Sequence, residues 1–200
     1  MVRPLFASHI CVTGSIGSGK SRVCQQLVRI LGWPCLDIDD VARTLMAPGG
    51  VGLAAIKLYN AAFIRADGSL DRALLRRSIF NSNECKSDID NLLHPLIQST
   101  LTAELSSCND RHIVEIPLLF ETGWDALFET IIMVTASKEI CVERIVKRDG
   151  VTAREAELAY DSQMDPTIKA TRATEVIHNN GEWAAVVDQL QEVSRSFVTV

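Results

Sequence analysis

The sequence predicts an α/β protein: a parallel five-stranded sheet between two layers of helices. Three observations carry that prediction. Five short apolar runs recur along the chain, segments with helical spacing separate them, and the first run passes through a glycine-rich turn straight into the first helix. Residues 9–13 form the first run. After the turn, Val23, Leu27, Ile30 and Leu31 recur at helical spacing. Residues 35–38 read as a second strand entering Asp39, and residues 112–116 as a third, stopped by Pro117. Residues 131–134 make the fourth, followed by a helix with Ile140, Arg144, Ile145 and Arg148 down one side. Residues 175–178 make the fifth, closed by the turn sequence Asn179-Asn180-Gly181.

Two helical excursions interrupt this alternation. Between strands two and three, helical patterns occupy residues 52–61, 71–80 and 87–105, with no convincing strand among them. A second excursion opens at Thr152-Ala153-Arg154-Glu155, a sequence that fits the capping box, in which hydroxyl and carboxylate satisfy each other's backbone amides. The expected organisation is a core of residues 1–46, 111–150 and 173–200, a helical insert at 47–110 that covers a substrate, and a small helical lid at 151–172.

Composition narrows the class. A chain of 200 residues with 47% hydrophobic and 22% charged residues has enough apolar material for one substantial core. The formal net charge of −5 argues against a general nucleic-acid or membrane-surface binder, because such binding needs an extended basic face. The first eight residues lack a secretory apolar region and no stretch reaches membrane-spanning length, so a cytoplasmic protein is expected, a monomer or weak homo-oligomer. Cysteines at 11, 24, 35, 85, 108 and 141 form no CxxC pair and have no histidine at ligand spacing. They read as reduced residues, mostly in the core.

The chemistry is carried by Gly14-Ser15-Ile16-Gly17-Ser18-Gly19-Lys20-Ser21, which satisfies the P-loop pattern G-x-x-x-x-G-K-[ST] between a strand and a helix. Gly14, Gly17 and Gly19 let the loop bring backbone amides against phosphate oxygens, and the helix N-terminus adds a favourable dipole. Ser18 and Arg22 are expected beside them at the nucleotide, Arg22 through its backbone amide. Lys20 neutralises β and γ phosphates, and Ser21 offers a hydroxyl to Mg²⁺. The ligand expected on this reading is ATP with Mg²⁺.

Acidic residues cluster where open α/β sheets put their active-site groups. Asp37, Asp39 and Asp40 lie at the carboxyl end of the second strand. Asp37 and Asp39 are expected to point the same way, one carboxylate accepting a hydroxyl proton and the other holding Mg²⁺, with Asp40 capping the following helix. Glu115 interrupts the third apolar run near its end and needs a partner such as a metal site. Arg144, Lys147, Arg148 and Arg154, with Lys169 and Arg172, gather near the second helical excursion. Arg144 and Arg148, at i and i+4, are the expected pair to close over a transferring phosphate. His94 stands before Pro95, where a structural role is the simpler one.

Beyond the loop, the order of motifs resembles the dephospho-CoA kinase family along nearly the whole chain. Thr13 to Ser21 resembles its phosphate-binding loop, and Asp37-Ile38-Asp39-Asp40-Val41-Ala42-Arg43 its D-x-D-x-x-A-R element. Asp67-Gly68-Ser69-Leu70-Asp71-Arg72 and Leu93-His94-Pro95-Leu96-Ile97 look like pieces of its CoA-binding insert, and Pro117-Leu118-Leu119-Phe120-Glu121 is similar to its P-L-L-[FY]-E signature. The Gln163 region and Asn179-Asn180-Gly181 resemble its lid and last strand. The resemblance implies phosphorylation of the ribose 3′-hydroxyl of dephospho-CoA by ATP and Mg²⁺. Asp39 matches the general base, Lys20 the phosphate-binding lysine and an arginine among 144–148 the lid group. His94, Pro117, Leu118 and Glu121 are then expected on the acceptor side. Ser15, Arg22, Asp161 and Thr174 depart from the family pattern.

Two other readings compete. A nucleoside-monophosphate or small-metabolite kinase would share the core but take another acceptor. A GTP-dependent switch would need an N-K-x-D and a D-x-x-G element, and the chain has neither, although Thr135-Ala136-Ser137-Lys138 faintly resembles a guanine-contacting element.

Overall fold

The computed structural model describes residues 4–107 and 110–198. Cys108, counted above among the core cysteines, lies outside them. The five strands are β1 (Ile10–Gly14), β2 (Cys35–Asp37), β3 (Ile113–Glu115), β4 (Thr130–Thr135) and β5 (Glu175–His178), in the order β2-β3-β1-β4-β5. The sheet is parallel, with Val12 opposite Glu115, Gly14 opposite Val134 and Thr135 opposite His178. β1 is buried throughout and the interior of β4 likewise, the pattern of strands covered on both faces. α1 (Lys20–Leu31) and α9 (Trp183–Val198) cover one face, where Val23, Leu27, Val186 and Leu190 interlock with Ile10, Val12, Ile132 and Ile177.

The chain forms two compact units, Met1–Leu36 with Asp110–Val200, and Asp37–Asn109. In the first, α6 (Lys138–Asp149) packs against α7 (Ala153–Asp161) through Cys141 and Tyr160, and α8 (Pro166–Arg172) leads into β5. The capping box at Thr152 and Glu155 is formed as the sequence predicts. In the second, α2 (Ile38–Leu45), α3 (Val51–Tyr59), α4 (Arg72–Asn81) and α5 (Asn83–Ser107) surround Leu53, Ile56, Phe63, Leu70, Leu75 and Ile89. The division falls ahead of α2, earlier than the sequence patterning put it, because α2 packs on α3 and α5.

One local expectation fails here. β2 stops at Asp37 and the chain turns helical at Ile38, so Asp37 and Asp39 are not alternate residues of one strand. Asp37 is itself the N-cap: its Oδ1 accepts from the Asp39 amide at 2.8 Å. Asp40, expected as the cap, sits within the first turn and pairs with Arg43. A carboxylate one residue ahead of the helix satisfies an orphan amide that Asp40 cannot reach.

Candidate active site

Within the first unit, the loop between β1 and α1 is shaped by glycines. Gly17 has φ 79°, and a Cβ there would stand 2.5 Å from the Cys141 carbonyl oxygen; Gly19, with φ 97°, would collide with the Asn179 side chain. Both close approaches and both backbone conformations exclude larger residues. Gly19 is the N-cap of α1 and supplies no side-chain cap, so the first-turn amides of α1 are left for an anion. Gly14 opens the loop at φ 152°. Ser18 Oγ is buried without a hydrogen-bond partner, a further polar group in the loop that the protein does not satisfy.

The charged groups are held just as locally. Lys20 is 8% exposed and its Nζ donates to Ser15 O at 3.1 Å, arching back over the loop. Ser21 Oγ donates to Glu115 Oε1 at 2.8 Å. Glu115 is 6% exposed at the end of β3, so the partner its burial demanded is the serine of the loop itself. This hydroxyl and carboxylate are the donor set a phosphate-bound Mg²⁺ uses, since that ion takes one or two protein oxygens and completes its shell from phosphate and water. Glu115 also lies beside Cys24, whose thiol is pushed well up by its hydrogen bond with Cys35, by burial and by the Glu115 charge. Burial likewise raises the Cys141 thiol, opposed by the positive charges of Arg144 and Lys20.

Behind the loop stands a clamp that local sequence patterns do not announce. Arg144 Nη1 donates to Gly17 O and Ser18 O, both at 3.2 Å, and Nη2 donates to Asn179 O at 3.1 Å. Asn179 Nδ2 adds a hydrogen bond to Ser18 O at 2.7 Å. These bonds hold the Gly17 and Ser18 carbonyls, while the Ser18 amide turns inward to Ser15 O at 3.1 Å, so of the expected loop amides that of Ser18 is already taken within the loop. Arg148, expected to share that face, is instead 61% exposed and bound to neighbouring Asp149, Nε to Oδ1 at 2.7 Å. Sharing a face does not give the second guanidinium a partner in the loop, and the carboxylate of Asp149 takes it instead.

Of the acceptor-side residues in this unit, Pro117 O accepts from Thr13 Oγ1 at 3.4 Å and Leu118 is exposed. Glu121 is engaged inside the protein: Oε1 lies 2.6 Å from Lys169 Nζ and accepts from the Met164 amide at 3.1 Å. Lys169, read from sequence as one of a basic cluster, is fully buried. In the second unit, Asp39 is exposed at the start of α2, and His94 Nε2 lies 3.8 Å from Asp90 on α5. Among the described residues no cluster of three histidine, cysteine or acidic side chains is placed to hold a metal. The five described cysteines form no disulfide; Cys11, Cys24 and Cys141 are buried, whereas Cys35 is exposed rather than in the core.

A profile of the family described as dephospho-CoA kinase matches residues 8–185, the insert included. The chain belongs to the dephospho-CoA kinase family. A dephospho-CoA kinase of Thiobacillus denitrificans is 36% identical over 194 residues, covering 96% of each chain. A crystal structure of a Thermus thermophilus protein superposes over 100% of both chains with TM-score 0.85 at 31% identity. A dephospho-CoA kinase from Campylobacter jejuni covers 95% of this chain and 96% of its own, with TM-score 0.68 at 27% identity.

The departures from the dephospho-CoA kinase pattern each have a local account. Ser15 keeps an ordinary backbone, since no described non-glycine residue has positive φ. The Arg22 guanidinium stacks 3.7 Å from the centroid of Trp183, which directs its side chain onto α9. Thr174 Oγ1 accepts from Ile131 N at 2.8 Å and donates to Ile131 O at 2.9 Å, tying β5 to β4. Asp161 receives Lys138 Nζ at 2.6 Å, raising the lysine pKa and pinning α7 to α6. No described helix is long and apolar enough to cross a membrane.

Proposed function

We propose that this protein transfers the γ-phosphoryl group of ATP to the ribose 3′-hydroxyl of dephospho-CoA, giving CoA and ADP. The observation that carries the acceptor's identity is the family match, which spans the helical insert as well as the loop. Kinases of rival acceptors such as shikimate, gluconate or a nucleoside monophosphate would share the phosphate-binding loop, which therefore does not by itself select the acceptor.

The roles follow from the chemistry of phosphoryl transfer, which is largely positioning and charge stabilisation. Loop amides and the α1 N-terminus hold the phosphates, and Lys20 stabilises charge on the β and γ oxygens. When bound with the nucleotide, Mg²⁺ supplies further neutralisation; Ser21 and Glu115 fit it, and Asp37 is a further oxygen donor for its waters. Asp39 accepts or orients the acceptor's hydroxyl proton. Arg144 braces the phosphate loop, which leaves Arg148 as the guanidinium to close on the transferring group; His94, Pro117 and Leu118 serve the acceptor, while Glu121 holds the α7–α8 turn. The protein acts in the cytoplasm as a monomer or weak homo-oligomer, without nucleic acid.

The test is ADP release with ATP and Mg²⁺ against a panel of dephospho-CoA, AMP, shikimate and gluconate, with the product's 3′-phosphate identified by ³¹P NMR. Turnover is expected with dephospho-CoA alone. Equal turnover with AMP or another acceptor refutes the reading, and strict dependence on added Mg²⁺ tests the metal separately.

A further inference from the structure

The Ser15–Ile16 peptide is gripped from both edges. Its carbonyl oxygen accepts from Lys20 Nζ at 3.1 Å, and its amide donates to Gln163 Oε1 at 2.8 Å. One rigid peptide plane therefore links the P-loop ammonium to a side chain in the turn between α7 and α8. The donor character of the Ile16 amide fixes which end of the Gln163 amide faces the loop, because only Oε1 can accept.

That turn is in turn anchored. Residue 164, next to Gln163, donates its amide to Glu121 Oε1 at 3.1 Å, and the same oxygen lies 2.6 Å from the buried Lys169 ammonium of α8. Lys169 is 0% exposed, and a buried ammonium is tolerated only with a partner of opposite charge. The pair therefore fixes Glu121, Glu121 fixes the turn, and the turn presents Gln163. A solvated lid would not require a buried ion pair at its base.

We propose that Gln163 is a positioning residue for phosphoryl transfer: it holds the Ser15–Ile16 peptide that seats Lys20, and the Glu121–Lys169 pair holds Gln163 in place. The proposal rests on the kinase reading for its turnover assay, though its geometry lies wholly within the loop and the α7–α8 turn. Without Gln163 the amide edge of the peptide loses its acceptor and only the carbonyl edge stays held, by the Ser18 amide at 3.1 Å and by Lys20, so the seat of the ammonium is less fixed where charge develops.

The experiment is a double-mutant cycle. Gln163→Met keeps the length of the side chain and removes its acceptor; Glu121→Gln/Lys169→Met removes both charges of the pair together, so that neither is left buried alone. With dephospho-CoA and ATP saturating, Gln163→Met is expected to lower kcat by about tenfold to a hundredfold, with acceptor KM within about twofold of wild type. The charge-free pair variant is expected to lower kcat as well, and the variant combining all three changes to be no slower than Gln163→Met alone. Additive losses in the combined variant, an effect confined to KM, or a wild-type kcat for Gln163→Met each overturns the proposal. Binding of β,γ-imido-ATP by calorimetry separates this from the choice of acceptor. If wild-type protein does not turn over dephospho-CoA, the functional reading fails, and the proposal is decided by whether Gln163→Met weakens that analogue by about tenfold or binds it equally.

Discussion

Arg144 and Arg148 stand one turn apart on α6 and separate two roles for a lid guanidinium, which makes Arg144→Met an informative change. Arg144 makes three hydrogen bonds of 3.1–3.2 Å to the carbonyls of Gly17, Ser18 and Asn179. Hydrogen bonds from a charged donor contribute about 1.5–3 kcal/mol each, but these share one half-buried guanidinium and are not additive. Asn179 Nδ2 still holds Ser18 O at 2.7 Å in the variant, so the loop keeps part of its support. A loss of about 2–3 kcal/mol follows, or roughly 4–12 °C in Tm for a chain of this size. Arg148→Met is the control: its partner Asp149 is adjacent and the guanidinium is 61% exposed, so the change should cost below about 1 kcal/mol. The assay is thermal unfolding of both variants without nucleotide, followed by ATP titration. An Arg144→Met protein that melts with wild type yet has lost turnover a hundredfold would refute the clamp, and would assign the guanidinium to the transferring phosphate instead.

Three further predictions concern the loop, the aspartates and the start of the central strand. Lys20→Met should leave the fold intact and lower kcat by about a hundredfold or more, measured as ADP release at saturating ATP; an unchanged rate would mean that the ammonium is not used. Asp39→Asn should lower turnover by roughly a hundredfold to ten-thousandfold with nucleotide affinity little changed. Asp37→Asn should leave Tm nearly unaltered, since asparagine caps as well as aspartate, while raising the Mg²⁺ requirement; Asp40→Asn should be mild in both assays. His9 is buried and its Nδ1 accepts from the His112 amide at 3.1 Å, while burial and the neighbouring His112 lower its pKa from the usual 6.5. As pH falls the unfolded chain therefore takes a proton first, so this contribution to stability is whole above about 6.5 and is lost between there and the lowered folded value. His9→Asn retains an acceptor without titrating, and its Tm should fall less than that of wild type between pH 7.5 and pH 5.5; parallel curves would refute the assignment.

What the sequence discloses follows the range of the interactions involved. The P-loop, the capping box at Thr152 and the five apolar runs are local patterns, each specified by residues a few positions apart, and each forms where the pattern puts it. The failures are competitions between two local readings or contacts across long separations. Asp37, Asp39 and Asp40 fit a strand end and a helix start equally well; the cap decides between them, because Asp37 satisfies an amide that a longer strand would leave unpaired. Helical spacing put Arg144 and Arg148 on one face, yet spacing cannot say that Gly17 and Ser18 present carbonyls to the first while Asp149 takes the second. Lys169 is the extreme case: in sequence it belongs to a basic run, and only the pairing with Glu121, which precedes β4 in the chain, makes its complete burial tolerable. These long-range partners converge on the backbone of the phosphate loop and on the turn that carries Gln163. A glycine-rich loop is legible because it must be flexible enough to take its shape, and that same flexibility is why the groups that fix it have to come from distant parts of the chain.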